Sequence, residues 1–405
     1  MRRPAMIFVF FTVVLDMLAL GMIVPVLPKL VVAFAGGDTA RGAVIFGLFA
    51  TAWALMQFVC SPLLGALSDR FGRRPVILIS NFGLGLDYIL MALAPNLWWL
   101  FAGRVISGIC SASVSTAYAY IADVLPAEKR AGAFGILGSA FGLGFIIGPA
   151  LGGILGNVDP RLPFWVSAAL SLLNGCYGLL VIPESLSCEK RAPFRWSRAN
   201  PVAALQLLRG QRHLRGLASI SFLSNLSHFV LNSTFVLYAG YRYQWDERDV
   251  GFAMALVGIC SMIVQGGLVR PCVNRFGERI TLMLGLSAGA IGFIVFGFAP
   301  TGKVFLIGIV FATLWGLAGP ASMGLMTRCV GADQQGRLQG ATSSLNGIAA
   351  LIGPIIFTHT FSYFIGPSRP LHLPGAPFLL ATLLLFVALG FAVRAAKPEN
   401  VKTAP

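Results

Sequence analysis

Three ionisable residues in this 405-residue chain sit where ionisable residues are least expected. Asp16 lies inside FTVVLDMLALGMIVPVLP, Asp87 inside NFGLGLDYILMALA and Arg104 inside LFAGRVISGIC, three runs that are otherwise apolar. A charge near the centre of a bilayer costs several kcal/mol, so such residues usually face a protein interior and mark a transport path or a proton relay. Two carboxyls and a guanidinium are the parts of a proton exchanger: the arginine favours ionised acids, dry surroundings favour protonated ones, and a ligand that shifts the balance moves a proton. Each residue also has a purely structural reading. Arg104, about seven residues into its run, can snorkel toward the membrane surface or pair with an acid.

Buried amides supply the next class of candidate. Gln57, Asn232, Gln265 and Asn346 lie within apolar runs beside small residues, and rank above Asn81, Asn174, Asn225 and Gln339. Amides offer both donors and acceptors to an organic substrate, or hydrogen-bond one helix to another. Other chemistries lack their residues. The four histidines (His213, His228, His359, His372) form no Ser/His/Asp set and no HExxH, so an enzyme is not expected. The seven cysteines show no ligand spacing, and neither a metal site nor a disulfide framework is expected.

These residues must be positioned by membrane helices. The chain is 57% hydrophobic and only 11% charged, with mean hydropathy +0.80, against about 25% charged residues in soluble domains. Apolar runs predict twelve spans at 6–28, 43–67, 76–94, 97–121, 132–156, 163–183, 215–239, 250–270, 280–299, 303–326, 337–360 and 376–394, each long enough to cross about 30 Å of hydrocarbon. The first is read as an uncleaved span rather than a signal peptide. The net charge of +15 does not point to nucleic acid, because the basic residues fall in connectors. One side receives 22 of the 30 Lys and Arg and the other 7, which predicts that both termini are cytoplasmic.

A long basic connector, 184–214, divides the spans into an N-terminal six-helix bundle at 1–183 and a C-terminal one at 215–405. A short surface helix is expected within its segment PVAALQLLRG. The two bundles repeat one another at an offset of 205 residues: NRFGER at 274–279 follows DRFGRR at 69–74, Gly353-Pro354 follows Gly148-Pro149, and Gly340 follows Gly135. Duplicated halves about a midplane site are an arrangement used by secondary transporters. In the fifth span, Gly142-Leu143-Gly144-Phe145-Ile146-Ile147-Gly148-Pro149-Ala150-Leu151-Gly152-Gly153 has no Lys-Ser/Thr and no preceding strand, so it reads as close helix packing rather than a phosphate loop.

Three motifs together carry a family resemblance: Gly65-x-x-x-Asp69-Arg70-x-Gly72-Arg73-Arg74, Arg104-x-x-x-Gly108, and Gly144-x-x-x-Gly148-Pro149-x-x-Gly152-Gly153. They resemble the drug/proton antiporters of the major facilitator superfamily. Leu15-Asp16, Asp87-Tyr88, Tyr120-Ile121-Ala122-Asp123 and Leu338-Gln339-Gly340 bring the likeness closer to bacterial tetracycline exporters. The resemblance implies an all-α fold of twelve transmembrane helices in two pseudo-symmetric bundles, in the bacterial inner membrane. It implies export of an amphipathic drug in exchange for protons, with magnesium entering only as part of a tetracycline chelate. No cofactor is implied; the energy source is the proton gradient, the partners are a small lipophilic substrate, protons and lipids, and the expected state is a monomer. Asp16, Asp87, Arg104 and Gln57 would line the path. Gly65, Asp69, Arg70, Gly72, Arg73, Arg74 and Arg130, with Gly144, Gly148, Pro149, Gly152 and Gly153, would gate it, Asp69 by pairing with Arg130. Two positions depart from the pattern. Ser261 stands where these exporters carry a histidine and Gly289 where they carry an acid, so the alternatives of another organic metabolite or a non-transporting sensor stay open.

Overall fold

Apolar runs of this length bury their backbone polar groups by forming helices, the only open-chain solution in a membrane. The computed structural model describes residues 3–111, 113–125, 127–186, 189, 191, 203–209, 212–331, 334–367 and 372–395, and among these residues every regular element is helical. The helices are α1 (Arg3–Ile23), α2 (Leu27–Phe34), α3 (Thr39–Phe71), α4 (Arg73–Ala92), α5 (Leu97–Cys110), α6 (Ser113–Val124), α7 (Ala127–Val158), α8 (Leu162–Val181), α9 (Arg212–Tyr243), α10 (Glu247–Ile263), α11 (Val269–Phe298), α12 (Gly302–Leu314), α13 (Ala318–Arg328), α14 (Gln335–Ile365) and α15 (Ala376–Ala395).

Among the described residues, eleven helical stretches are long and apolar enough to cross a membrane. One of them, Glu247–Phe298, has 52 residues. At 1.5 Å per residue that is about 78 Å, more than twice the hydrocarbon thickness. It is broken at Gly277, whose φ of +78° no right-handed helix accommodates, so it is long enough for two crossings, which brings the number among the described residues to twelve. The expected surface helix in the connector is a short 3₁₀ segment, Ala203–Arg209. The first span is interrupted at residues 24–26, where Pro25 and Pro28 remove two backbone donors and the chain turns before α2.

Close packing sorts the chain into two units, Met1–Pro201 with Val236–Gly258, and Val202–Phe235 with Ile259–Pro405. In the first unit, Val9, Val13, Ile77, Ala117, Tyr120, Ala133 and Leu137 form a shared core of α1, α4, α6 and α7. The glycines of the fifth span set its closest approaches. A Cβ added at Gly148 would lie 2.8 Å from Gly21 Cα, and Cβ atoms at Gly144 and Gly152 would collide with Met17 and Met22 of α1. Gly153 faces α10 instead, where a Cβ would lie 3.0 Å from Gly251 Cα, and a Cβ at Gly251 would lie 2.5 Å from the Pro149 carbonyl oxygen. The motif therefore packs two neighbours with two of its faces. Lys29 bridges α2 to the start of α10, 3.5 Å from Glu247, and donates to the Trp245 carbonyl at 2.8 Å. In the second unit, Phe293, Phe296, Phe305 and Phe378 join α11, α12 and α15 through ring contacts with centroids 4.1 to 6.3 Å apart.

Candidate functional site

Asp87 occupies the middle of α4 and is 1% exposed, yet neither of its carboxyl oxygens has a hydrogen-bond partner among the described residues. Its place is made by Gly103 on α5: a Cβ there would lie 3.0 Å from Asp87 Oδ1. The next residue, Arg104, is 8% exposed and holds its guanidinium over the Trp53 ring, 5.2 Å from the centroid. A cation over an indole is stabilised without being neutralised. Arg104 and Asp87 interact electrostatically, but no ion pair joins them within 4.0 Å. The pair is thus poised rather than locked. On the same side, Gln57 of α3 donates to Ser111 Oγ at 3.1 Å at the end of α5, whose closeness to α3 depends on Gly108, where a Cβ would lie 2.6 Å from the Trp53 carbonyl oxygen.

Asp16 is in different company. It is 4% exposed on α1, and Asn174 of α8 donates from Nδ2 to Asp16 Oδ1 at 3.1 Å and to the Thr12 carbonyl at 3.3 Å. The two carboxyls therefore have different partners, Asn174 of α8 for Asp16 and the Arg104 charge of α5 for Asp87, although both act electrostatically on the buried Tyr88 of α4. Asn174, ranked low from sequence, is the residue that makes the difference. Around them, Asn81, Ser107 and Ser171 are at most 1% exposed with side-chain polar atoms that no hydrogen bond reaches among the described residues.

The motif between α3 and α4 is a charge cluster built on a glycine. Gly72 has φ +106°, and the space its Cβ would take is filled by the Glu184 carboxylate. Glu184 accepts from the backbone N–H of Arg73 at 2.8 Å and of Arg74 at 3.3 Å, which caps the start of α4 with a negative charge. Arg73 pairs with Asp69 at 2.6 Å and with Asp123 of α6 at 2.9 Å, and donates to Ser68 Oγ at 2.6 Å. Asp69 is thus held by Arg73; Arg130, its expected partner, donates instead to the Leu125 carbonyl at 3.0 Å. The i, i+4 spacing across the Gly72 turn brings Arg73 to Asp69. Arg70 lies over Phe71 at 5.1 Å, Arg74 donates to the Leu179 carbonyl at 2.7 Å, and the Gly65 carbonyl accepts from Ser68 at 2.7 Å.

The second copy inverts this charge pattern. Gly277 repeats the positive φ of Gly72, and Glu278 pairs with Arg328 at 2.9 Å. Both partners stand 205 residues beyond Arg73 and Asp123 (278 minus 73, 328 minus 123), with acid and base exchanged. The offset was visible in the sequence; Asp123 and Arg328 become a signal only once it is applied to every charge near the motif.

In the second unit Gln265 sits in a π-helical turn, Val264–Leu268, beside Gly316, and Asn232 and Asn346 are exposed on α9 and α14. The departure at Gly289 has a physical reason. A Cβ there would lie 2.8 Å from Trp315 Cγ, so the indole occupies the space that a larger side chain would need.

The sequence pattern of the Major Facilitator Superfamily matches residues 9–354. The tetracycline resistance protein, class C, of Escherichia coli is 36% identical over 358 residues, 88% of this chain and 90% of that one. The class H protein of Pasteurella multocida is 30% identical over 410 residues, covering both chains entirely. Among solved structures, the human organic anion transporter MFSD10 aligns with a TM-score of 0.71 and 25% identity over 96% of this chain and 99% of that one. These relatives are named as tetracycline resistance proteins and an organic anion transporter.

Proposed function

The chain belongs to the Major Facilitator Superfamily, and from that premise we propose that it is a proton-coupled exporter of a small amphipathic drug, working by alternating access in a bacterial inner membrane with both termini cytoplasmic. The observation that carries the proton part is the Asp87 carboxyl, buried without a hydrogen bond beside an arginine that is parked on an indole. Protonation of Asp87 leaves Arg104 on Trp53; loss of the proton creates a charge that draws the guanidinium in. A substrate that favours one of these arrangements is coupled to the proton by linkage, and the gradient supplies direction. Asp16, already accepting from Asn174, serves as a fixed acceptor rather than the exchanging group.

The likeness to tetracycline resistance proteins supports a tetracycline–magnesium chelate as substrate, with magnesium carried as part of the cargo. Ser261 and the Trp315-filled space at Gly289 favour a second reading, export of a different planar amphiphile. Proteoliposomes with an imposed pH gradient test the core of the proposal. Wild type should take up tetracycline–magnesium, or another drug of a panel, only with the gradient, and Asp87→Asn should lose gradient-driven flux while keeping substrate exchange. Gradient-driven flux that survives Asp87→Asn would remove Asp87 from the proton route.

A further inference from the structure

His228 takes no part in the proposed proton route. It stands midway along α9, sixteen residues after Arg212 and fifteen before Tyr243, at the depth where a span is farthest from water. It is nonetheless exposed, and no hydrogen bond reaches its ring among the described residues. The neighbours of α9 say what it is exposed to. Ser227 donates to the Ala381 carbonyl of α15 at 3.2 Å; Phe229 packs on Gly353 of α14, where a Cβ would lie 2.5 Å from its own; and Ser224 accepts from Trp315 Nε1 at 3.0 Å. With 100° per residue, the arc between the Trp315 side and the α14 side contains Ser221, Asn225, His228 and Asn232, spaced i, i+4, i+7 and i+11.

Over the middle turns of α9, residues 219–234, every member of that arc is polar and half-buried or exposed, in an apolar span flanked on both sides by protein, whereas toward the ends of the helix the arc turns apolar and buried at Leu217, Ala218, Phe235 and Val236. A lipid-facing arc would be apolar; a polar one at this depth lines a water or substrate path. The His228 ring lies 5.3 Å from Trp315 at an interplanar angle of 43°, and Trp315 is fixed from behind by its bond to Ser224, by the notch at Gly289 and by Phe293 at 5.7 Å. The surface is a braced aromatic pair bordered by the amides Asn225 and Asn232.

We propose that His228 and Trp315, with Asn225 and Asn232, form the second unit's recognition wall, which selects planar aromatic substrates by ring contact with a hydrogen-bonding edge. The inference rests on the export reading and names the substrate class for it. Two amide side chains and an imidazole can read carbonyl and hydroxyl groups on the rim of a ring system. The middle of α9 carries no carboxylate, so shape and hydrogen bonding, not an ion pair, do the selecting on this wall.

Binding to purified protein in detergent tests it, with tetracycline–magnesium and acriflavine as planar probes and erythromycin as a non-aromatic amphiphile. His228→Ala should weaken the planar probes about threefold to tenfold, the size of one lost ring contact. Erythromycin binding and the ligand-free melting temperature should not move. His228→Phe, which keeps a ring, should retain most of the affinity, and gives a second reading if the alanine variant folds poorly. Planar-probe affinity unchanged in His228→Ala, equal weakening of all three probes, or wild-type binding of erythromycin alone would each overturn the wall and leave the export reading standing. Wild-type protein that binds none of the three would overturn both.

Discussion

Arg73 and Asp123 offer a direct measure of what the motif between α3 and α4 contributes. The Arg73 side chain is 11% exposed, Asp123 20% and Asp69 46%. A charge-assisted hydrogen bond between largely buried groups contributes about 1.5–3 kcal/mol, whereas an exposed ion pair contributes about 0–1 kcal/mol. A double-mutant cycle with Arg73→Met and Asp123→Asn should therefore give a coupling of about 1.5–2 kcal/mol, and the cycle with Asp69→Asn only about 0.5 kcal/mol. Denaturant unfolding in micelles, followed by circular dichroism, reads both. The repeat supplies a sharper form of the same experiment. Arg73→Glu alone places a fourth carboxylate beside Asp69, Asp123 and Glu184 and should destabilise the protein by about 3 kcal/mol or more. Combined with Asp123→Arg and Asp69→Asn, it reproduces the Glu278, Arg328 and Asn274 set of the other copy and should recover most of that loss. A coupling below about 0.3 kcal/mol, or a triple variant as unstable as Arg73→Glu alone, would refute the account of the cluster as a stabilising ion-pair network.

Two further outcomes follow from glycines that touch the site. Gly103→Ala places a methyl 3.0 Å from Asp87 Oδ1 and 2.5 Å from Met91 Cγ, an overpacking of about 1–3 kcal/mol at the carboxyl itself; gradient-driven flux should fall about tenfold or more with helical content unchanged, and undiminished flux would separate Asp87 from the coupling step. Gly289→Ala must displace Trp315 and should destabilise the protein by about 1–3 kcal/mol, with most of that regained by adding Trp315→Ala; a melting temperature unaffected by Gly289→Ala would contradict the packing of the indole.

How much of this was legible before the structure depends on the kind of force involved. Twelve crossings, Asp16, Asp87 and Arg104 stood out because a membrane exaggerates hydropathy and makes a mid-span charge conspicuous. Close packing of the fifth span was legible because glycines four apart have few other uses in a long helix, although its division between α1 and α10 was not. Partners were harder. The Asp69–Arg73 pair, at i, i+4, was open to sequence reasoning; that Glu184 fills the space beside Gly72 and that Asn174 reaches Asp16 depend on helix rotation, which no single-sequence pattern encodes. His228 was one polar residue among many until the neighbours of α9 defined which arc remained open.

The offset of 205 residues shows what duplication preserved and what it released. Packing was kept. A Cβ at Gly103 would meet Met91, and a Cβ at Gly308 would meet Phe296, the same pair of positions in each copy. The turn was kept, with positive φ at Gly72 and Gly277, and so was the ion pair beside it, with its charges exchanged. The mid-span charges were not. Positions 205 residues after Asp16, Asp87 and Arg104 hold Ser221, Gly292 and Ile309, and Gly292 is pressed against Ala312 so closely that no carboxylate could fit, a Cβ there lying 2.5 Å from the Ala312 nitrogen. Duplicated helices with matched packing and unmatched charge differ in what they present: the first copy keeps two mid-span carboxyls and an arginine, while the second, without a carboxylate along α9, presents an imidazole, an indole and amides.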